Sequence, residues 1–194
     1  MILFLDTETT GIRPGQVCQL SYIMQDKEHA IAKNFFFSVD RMDYGAFMVH
    51  GFSVEKLKEL SSGKVFSDHA DEIMEDVNRA DVLVAHNVSF DMMFMRTEFE
   101  RLDKVFAPKK EFCTMKKLTP ICKLMRTSRV AYKYPKLSEA CAFFGISDIE
   151  IKQDVNRLFG ENLGYHDARF DTTALYLVAN HGMENGLEEL KNYL

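Results

Sequence analysis

Ile2-Leu3-Phe4-Leu5, followed at once by Asp6-Thr7-Glu8, is the stretch near the start of the chain that decides the fold. Four apolar residues in a row predict a β-strand that is buried on both faces. In an extended strand, residues two positions apart point to the same side, so Asp6 and Glu8 can aim at one point. Two such carboxylates repel each other unless a cation neutralises them, and hard oxygen ligands suit Mg²⁺ or Mn²⁺. The stretch therefore predicts a divalent metal site at the end of a buried strand.

A second apolar strand leads to another acidic residue. Val82–Ala85 is followed by His86-Asn87-Val88-Ser89-Phe90-Asp91, which enters a predicted helix. Asp91 falls in the first turn, where the helix dipole favours a negative charge, so Asp91 alone is explained as a helix-start acid. If the two strands are parallel neighbours, however, their carboxyl ends share one crevice, and Asp91 comes close to Asp6.

A third acidic position lies near the last long helix, in the segment Tyr165–Asp171. His166 and Asp171 are five residues apart, which on one continuous helix separates them by about 140°. They can converge if His166 lies just before the helix and Asp171 within it, with Asp167 as the N-cap. The alternative for His166 alone is a surface or capping residue.

The remaining periodicities predict an α/β fold with a mixed sheet, in one domain over residues 1–194. The predicted strands are Ile2–Leu5, Val17–Gln25, Ile31–Val39, Val82–Ala85 and Glu111–Cys113. The predicted helices are one from Ser53, Phe66–Asn78, Ser89–Leu102, one capped by Thr114, Leu137–Phe144 closed by Gly145, and Asp167–Asn180. We expect irregular chain up to Gly51 and a basic loop over Arg126–Tyr134.

Composition and the ends of the chain favour a cytoplasmic protein. Four cysteines are widely spaced, with no CxxC pair, which suits reduced thiols better than disulfides or a zinc site. The apolar run before Asp6 is too short for a signal peptide or a membrane span, so we expect no membrane partner. Only a short segment follows the last predicted helix.

Charge is distributed unevenly along the chain. The net charge is −5, but residues 101–136 carry eleven Lys and Arg against two acidic residues. An acidic body with one basic stretch fits a protein that binds metal with carboxylates and phosphate with the basic stretch. The alternative is a solvated helix face followed by a mobile loop. Arg126, Arg129 and Lys133, interleaved with two tyrosines, are the candidate phosphate contacts.

These pieces together resemble the DEDDh exonucleases of the DnaQ-like family, which includes the proofreading subunit of bacterial replicative polymerases. Asp6-Thr7-Glu8-Thr9-Thr10-Gly11 is similar to the first motif, and Val49-His50-Gly51-Phe52 to a hydrophobic-His-Gly-hydrophobic element. His86-Asn87-x-x-Phe90-Asp91 resembles the second motif. Pro135-Lys136-Leu137 with Phe143-Phe144-Gly145-Ile146 resembles the helix before the third. The resemblance covers about residues 1–180 in the right order.

The resemblance implies a ribonuclease H-like fold with a mixed five-stranded sheet and a 3′→5′ exonuclease that acts by two-metal-ion hydrolysis. Asp6 would bridge two Mg²⁺ or Mn²⁺ ions, with Glu8, Asp91 and Asp171 completing their shells. His166 would take the proton from the attacking water, and the product would be a nucleoside 5′-monophosphate.

The substrate implied is a nucleic acid with a free 3′ end, with DNA favoured over RNA. By resemblance, the terminal nucleotide would be lined by Thr7, Thr9, Thr10, Gly11, Ile12, His50, Phe52, Asn87 and Phe90. Phe52 would lie against the base, and the alternative for Phe90 is plain core packing. Because only a short segment follows the last predicted helix, we expect a stand-alone trimming or repair nuclease, or a protein whose partner lies elsewhere. A protein partner or a homodimer is a further expectation.

Two other functions stay open. An RNA-trimming exoribonuclease of the same family would use the same residues. An inactive binding module would normally have lost an acid or the histidine, and all five are present here.

Overall fold

The computed structural model describes residues 1–27, 29–128, 130–160, 164 and 166–194. The strands are β1 (Ile2–Thr9), β2 (Val17–Asp26), β3 (His29–Phe36), β4 (Val82–Ala85) and β5 (Glu111–Cys113). The α-helices are α1 (Tyr44–His50), α2 (Val54–Leu60), α3 (Ala70–Arg79), α4 (Val88–Glu100), α5 (Thr114–Cys122), α6 (Leu137–Phe144), α7 (Asp148–Phe159) and α8 (Ala168–Gly182). Among the described helices, none has the length and apolar character that a membrane span needs.

The five strands form one mixed sheet in the order β3-β2-β1-β4-β5. β1 runs antiparallel to β2 and parallel to β4, and β4 runs parallel to β5. The mixed five-stranded sheet that the sequence predicted is therefore confirmed, and β1 lies at its centre. The parallel pairing of β1 and β4 also brings their carboxyl ends to one edge of the sheet, as expected.

Alternate residues of β1 enter two different cores. Leu3 and Leu5 belong to a core that includes residues of α3 and α4, whereas Ile2 and Phe4 belong to a core that includes residues of α8. Side chains in a strand alternate between the two faces of the sheet. The same alternation continues past Leu5, so Asp6 and Glu8 face α8, and Thr7 faces α4.

Several element boundaries differ from those predicted. β1 continues to Thr9, so Asp6–Glu8 lies inside the strand instead of following it, because antiparallel pairing with β2 extends through these polar residues. β3 is His29–Phe36 instead of Ile31–Val39, since its pairing with β2 begins at the hairpin turn. The predicted helix Phe66–Asn78 is a 3-10 turn at Phe66–Asp68 followed by α3.

Other helix ends test the predicted caps. The Ser53 hydroxyl accepts from the Lys56 amide at 3.1 Å, and Gly145 closes α6 with a φ of 71°, as predicted. α4 covers Val88–Glu100, close to the predicted Ser89–Leu102. The prediction that Thr114 caps α5 was wrong. Cys113 is the N-cap of that helix, and the Thr114 hydroxyl donates to the Ala85 carbonyl at 3.3 Å.

Two helices were not predicted. α1 was expected to be irregular, and it has no buried residue, so it carries no hydrophobic period that would have revealed it. α7 was also missed, although its N-terminus has a recognisable signal. The Ser147 hydroxyl accepts from the Glu150 amide at 3.2 Å, and Gly160 ends the helix with a φ of 73°.

The basic segment after α5 has more structure than the predicted loop. Arg126 donates its amide to the Ala131 carbonyl at 2.9 Å, and the Lys133 amide donates to Leu124 at 2.7 Å. Met125 and Tyr132 form an antiparallel bridge, so the segment is a short hairpin. It has no apolar period, which is why the sequence indicated only a loop. Arg129 lies outside the described residues.

Candidate active site

Three carboxylates converge where β1 passes the start of α8. One oxygen each of Asp6, Glu8 and Asp171 lies within 4.8 Å of the others. β1 supplies Asp6 and Glu8 because both face α8, and Asp171 lies in the first turn of that helix. The predicted cluster of these three acids is therefore present in the structure.

Asp91 approaches the cluster from the other side of β1. It lies in the first turn of α4 and is buried, and its Oδ1 accepts a hydrogen bond from the Thr7 hydroxyl at 2.9 Å. Its charge repels Asp6, although its oxygens are not part of the 4.8 Å group. Thr7 thus orients a fourth acid, and its own predicted contact with a nucleotide stays a prediction.

Burial raises the pKa of all four carboxyls, and repulsion from other acids of the group adds to the shifts of Asp6 and Glu8. Burial is the largest cause, and it raises the pKa of Glu8 to about 8 and those of Asp91 and Asp171 to about 7. The pKa of Asp6 is raised well above its usual value by burial, and then by repulsion from Asp171, Asp91 and Glu8. Hydrogen bonds from Thr7 to Asp91 and from the His166 amide to Asp171 act in the opposite direction.

This donor set fits a divalent cation. No lysine or arginine is among the causes that shift the pKa of these four acids. A group of ionised carboxylates in low-dielectric surroundings needs an opposite charge. Carboxylate oxygens alone are the ligands that Mg²⁺ and Mn²⁺ prefer, so Asp6, Glu8, Asp91 and Asp171 are suited to hold such ions.

His166 lies just before α8, in the arrangement that the sequence suggested. Its backbone amide donates to Asp171 Oδ2 at 3.1 Å, and Asp167 caps the helix by accepting from the Arg169 amide at 3.0 Å. The φ of His166 is 65°, a left-handed value that a residue other than glycine rarely adopts. The exposed side chain lines a cavity of about 220 Å³ together with Asp6 and Asp171. The backbone turn therefore places the imidazole beside the acids.

A second cavity, of about 140 Å³, lies beside Glu8. It brings together Thr7, Glu8, Thr9, Gly11, Ile12, Ala46, Val49, His50 and Phe90. Six of these, besides Glu8, were predicted as nucleotide contacts, namely Thr7, Thr9, Gly11, Ile12, His50 and Phe90. Because Glu8 lines this cavity and Asp6 lines the first, the acid cluster lies between the two.

His50 is fixed at the wall of the second cavity by two hydrogen bonds. Its Nδ1 accepts from the Phe52 amide at 3.1 Å, which leaves Nε2 to donate to the Thr9 carbonyl at 3.2 Å. Phe52 itself packs against His50 and Phe36, so it supports the histidine from beneath and does not line the cavity. The predicted contact between Phe52 and a base stays a prediction.

The turn after β1 explains two further residues of the first motif. A Cβ atom at Gly11 would lie 2.2 Å from Asp43 Oδ2, so a larger residue there would displace the Asp43 side chain. The Thr9 hydroxyl donates to the Gly11 carbonyl at 2.8 Å, and Thr10 Oγ1 accepts from the Gln16 amide at 3.0 Å. Thr10 therefore shapes the turn and does not line either cavity.

The other predicted contacts lie farther out. Asn87 is exposed at the start of α4 with a φ of 80°, a backbone conformation that asparagine tolerates. Arg126 is exposed and donates Nε to the Tyr132 carbonyl at 3.3 Å. Lys133 forms an ion pair with Glu139, so its charge is partly compensated. Arg129 is outside the described residues, and its role stays a prediction.

His86 and Lys136 were missed as site residues, although both line the cavity that contains Asp6 and Asp171. His86 Nδ1 lies 3.0 Å from Thr114 Oγ1, and His86 Nε2 lies 2.9 Å from the Pro135 carbonyl. This ring therefore holds the residue before Lys136 against the end of β4. Both residues stand inside the motifs that carried the family resemblance, and that position was the available signal.

The sequence of this chain is similar to those of known exonucleases. The model of the exonuclease family RNase_T matches residues 3–179. DNA polymerase III subunit epsilon of Salmonella typhimurium is 32% identical over 121 residues, which are 57% of this chain and 48% of that protein. The same subunit of Rickettsia felis is 30% identical over 108 residues, 53% of this chain and 45% of that protein. The chain thus spans about half the length of the curated relatives it matches.

Solved structures share the fold at low sequence identity. Exonuclease X in complex with 5′ overhanging duplex DNA superposes with a TM-score of 0.64 at 18% identity, over 96% of this chain and 93% of that one. The metal-free ExoI–ssDNA complex of E. coli gives a TM-score of 0.68 at 18% identity, over 98% of this chain and 41% of that one. These similarities confirm the ribonuclease H-like fold. The family match over residues 3–179 shows that this chain belongs to the RNase_T exonuclease family, and the chain is similar to the DnaQ-like exonucleases.

Proposed function

We propose that the chain is a metal-dependent 3′→5′ exonuclease that releases nucleoside 5′-monophosphates from DNA ends. The observation that carries this proposal is the convergence of Asp6, Glu8 and Asp171 between two cavities, with His166 in one of them. A site of this form can hold a terminal nucleoside on one side of the acids and the rest of the strand on the other.

The cavity beside Glu8 is the proposed site of the terminal nucleoside. Its volume of about 140 Å³ lies below the ~300–1,000 Å³ of pockets for drug-sized ligands, so it admits part of one nucleotide and not a duplex end. Ile12, Val49 and Phe90 supply apolar surface for a base. Stacking on such surface is tolerant of base identity, which suits an enzyme that removes any terminal nucleotide.

The acids and His166 are proposed to act on the phosphate that joins this nucleoside to the strand. Two Mg²⁺ or Mn²⁺ ions would be held by Asp6, Glu8, Asp91 and Asp171. Such ions would lower the pKa of a bound water and stabilise the charge on the leaving 3′ oxygen. His166 would accept the proton of the attacking water, because its imidazole is exposed in the cavity shared with Asp6. Lys136 lines the same cavity and would offset phosphate charge.

DNA is proposed as the substrate because the relatives are named as subunits of a DNA polymerase and both solved structures are titled as complexes with DNA. The same names make a protein partner an expectation for this chain, and a homodimer and a cytoplasmic location also stay predictions. An inactive module is disfavoured because all four acids and His166 surround one site.

The test is digestion of 5′-labelled DNA and RNA of matched sequence, single-stranded and duplex, with Mg²⁺ and with EDTA. A ladder that shortens by one nucleotide from the 3′ end, with 5′-monophosphates as products, is expected for DNA. Asp6→Asn purified in parallel controls for a contaminating nuclease. Faster RNA digestion would replace the DNA substrate by RNA, and no 3′ shortening of either polymer would overturn the proposed function.

A further inference from the structure

Gln19 on β2 connects the sheet to the start of α8, where His166 and Asp171 lie. Its side chain is completely buried and makes three hydrogen bonds. We propose that Gln19 is a positioning residue, which sets where His166 and Asp171 stand relative to Asp6 and Glu8. This inference rests on the proposed function, because it concerns the same site.

The strand register places Gln19 directly beside the acids. Gln19 is the cross-strand partner of Glu8 on the neighbouring antiparallel strand. Directly opposed residues of such a pair project to the same face of the sheet. Gln19 therefore faces α8, as Glu8 does, and its side chain reaches the residues at which that helix begins.

Both the nitrogen and the oxygen of the Gln19 side-chain amide form hydrogen bonds. A side chain without an amide could not form the same set of bonds. Nε2 donates to Asp167 Oδ1 at 3.0 Å and to Asn34 Oδ1 at 2.8 Å, while Oε1 accepts from the Ala168 amide at 3.0 Å. The opposite amide orientation would bring Oε1 against two acceptors, so this assignment follows from the network. The site requires donors and an acceptor in one buried side chain.

Asp167 links Gln19 to the site residues His166 and Asp171. It stands directly after His166, it caps α8, and it forms an ion pair with Arg169 through bonds of 2.9 and 2.8 Å. The guanidinium of Arg169 is buried and lies 5.2 Å from the Phe36 ring on β3. Asp167 is thus held to β2 through Gln19 and packed toward β3 through Arg169. Its neighbour His166 in turn donates its amide to Asp171.

Gln25 offers a matched control on the same strand. It is also buried, projects to the same face of the sheet, and donates Nε2 to Asn180 Oδ1 of α8 at 3.1 Å. Its cross-strand partner is Ile2, at the opposite end of β1 from the acids. Gln25→Met therefore removes a comparable link between β2 and α8 without touching the site.

The experiment compares Gln19→Met, Gln19→Glu and Gln25→Met with the wild-type chain. We expect both Gln19 variants to lower kcat by about 10²-fold on a short single-stranded substrate with a small change in KM, since displacement of catalytic groups by about 1 Å has effects of that size. Mn²⁺ affinity, measured by electron paramagnetic resonance, should weaken as well. Gln25→Met should also lower thermal stability, by less than Gln19→Met because it removes one hydrogen bond instead of three, while its kcat stays at the wild-type level.

A charge exchange tests the specific bond. Gln19→Glu keeps the shape and the acceptor for Ala168 but puts a carboxylate against Asp167. In the double variant Gln19→Glu with Asp167→Asn, the asparagine amide can donate to the new carboxylate, so kcat should rise above that of Gln19→Glu alone. A double variant no better than the product of the two single effects would overturn the pairing.

Hydrogen exchange separates this inference from the proposed function. The Ala168 amide bonds to Gln19 Oε1, so its exchange should accelerate in Gln19→Met, stay slow in Gln19→Glu, and stay slow in Gln25→Met. Hydrogen exchange and Mn²⁺ binding can be measured even if the wild-type chain has no nuclease activity. In that case the proposed function is overturned and the positioning role of Gln19 is still tested. Equal kcat in Gln19→Met and Gln25→Met, from a wild-type chain that is active, would overturn the positioning role.

Discussion

Asp6→Asn should abolish turnover and yet stabilise the metal-free protein at neutral to slightly basic pH. Asp6 is one of four acids whose pKa is raised by burial, and repulsion from Asp171, Asp91 and Glu8 raises the pKa of Asp6 further. Asparagine keeps the shape of the side chain and removes one charge from this group. Ionisation of Asp6 beside the other acids costs the folded state free energy, and asparagine removes that cost.

The direction of the pH dependence follows from the pKa values. Unfolded Asp and Glu have pKa values of about 4, whereas the folded values are about 8 for Glu8 and about 7 for Asp91 and Asp171. Between these limits the folded state binds more protons than the unfolded state. The stability of the metal-free protein therefore falls as pH rises from about 4 to about 8.

The size of the effect follows from the same shifts. One pKa unit corresponds to about 1.4 kcal/mol. A cost equivalent to one to two pKa units at Asp6, which asparagine no longer has, would stabilise Asp6→Asn by about 1–3 kcal/mol at pH 8. At pH 5 the folded carboxyls are largely protonated, so the difference between the two proteins should shrink.

Urea unfolding in EDTA at pH 5 and pH 8, repeated with Mn²⁺, measures these free energies. A metal at 100 times its Kd stabilises the folded state by about 2.7 kcal/mol, so wild type should overtake Asp6→Asn when Mn²⁺ is present. Asp26→Asn, at an exposed position of β2, is the control that changes charge outside the cluster. A variant less stable than wild type in EDTA at pH 8, or one with the same offset at both pH values, would refute the repulsion argument.

Three further predictions concern activity. Cleavage should stop in excess EDTA and return with Mg²⁺ or Mn²⁺, and undiminished cleavage in the chelator would contradict the metal mechanism. His166→Ala should lower kcat by about 10²–10⁴ in single-turnover assays with Mn²⁺ affinity nearly intact, because a general base contributes about that much; loss of metal binding would make His166 a ligand instead. Replacement of Arg126, Arg129 and Lys133 by Ala should raise KM on long substrates and flatten its log–log salt dependence by about 0.7 per lost phosphate contact, with little change on a dinucleotide. Equal effects on both substrates would show that the segment shapes the active site.

The parts of the site that the sequence predicted are those set by strand and helix periodicity. Asp6 and Glu8 share a face because they are two apart in a strand, and the parallel pairing of β1 and β4 brings Asp91 to the same edge. His166 and Asp171 converge because the chain turns before α8, at a positive φ. These relations follow from strand and helix periodicity and from the pairing of two predicted strands, which is why a pattern of residues could reveal them.

The parts that could not be predicted depend on contacts between distant segments. Phe52 matched a family element, but only its packing on Phe36 shows that it supports His50 from beneath. The sequence indicated that Lys133 is a free cation. Its ion pair with Glu139 depends on where α6 packs, which the sequence pattern does not show. Gln19 carries no motif at all, and its bond to Asp167 joins residues that are 148 positions apart.

The four apolar residues at the start of the chain do more than fill a core. Ile2 and Phe4 fix one face of β1 against α8, and Leu3 and Leu5 fix the other against α4. A shift of β1 by one residue in its pairing register would place each of these four side chains in the opposite core. The same shift would turn Asp6 and Glu8 away from Asp171. Because the acids repel one another, the cluster itself contributes nothing to this register in the metal-free protein. The direction in which the acids point is therefore determined by the packing of Ile2–Leu5, and a metal ion binds to a site that the cores have already arranged.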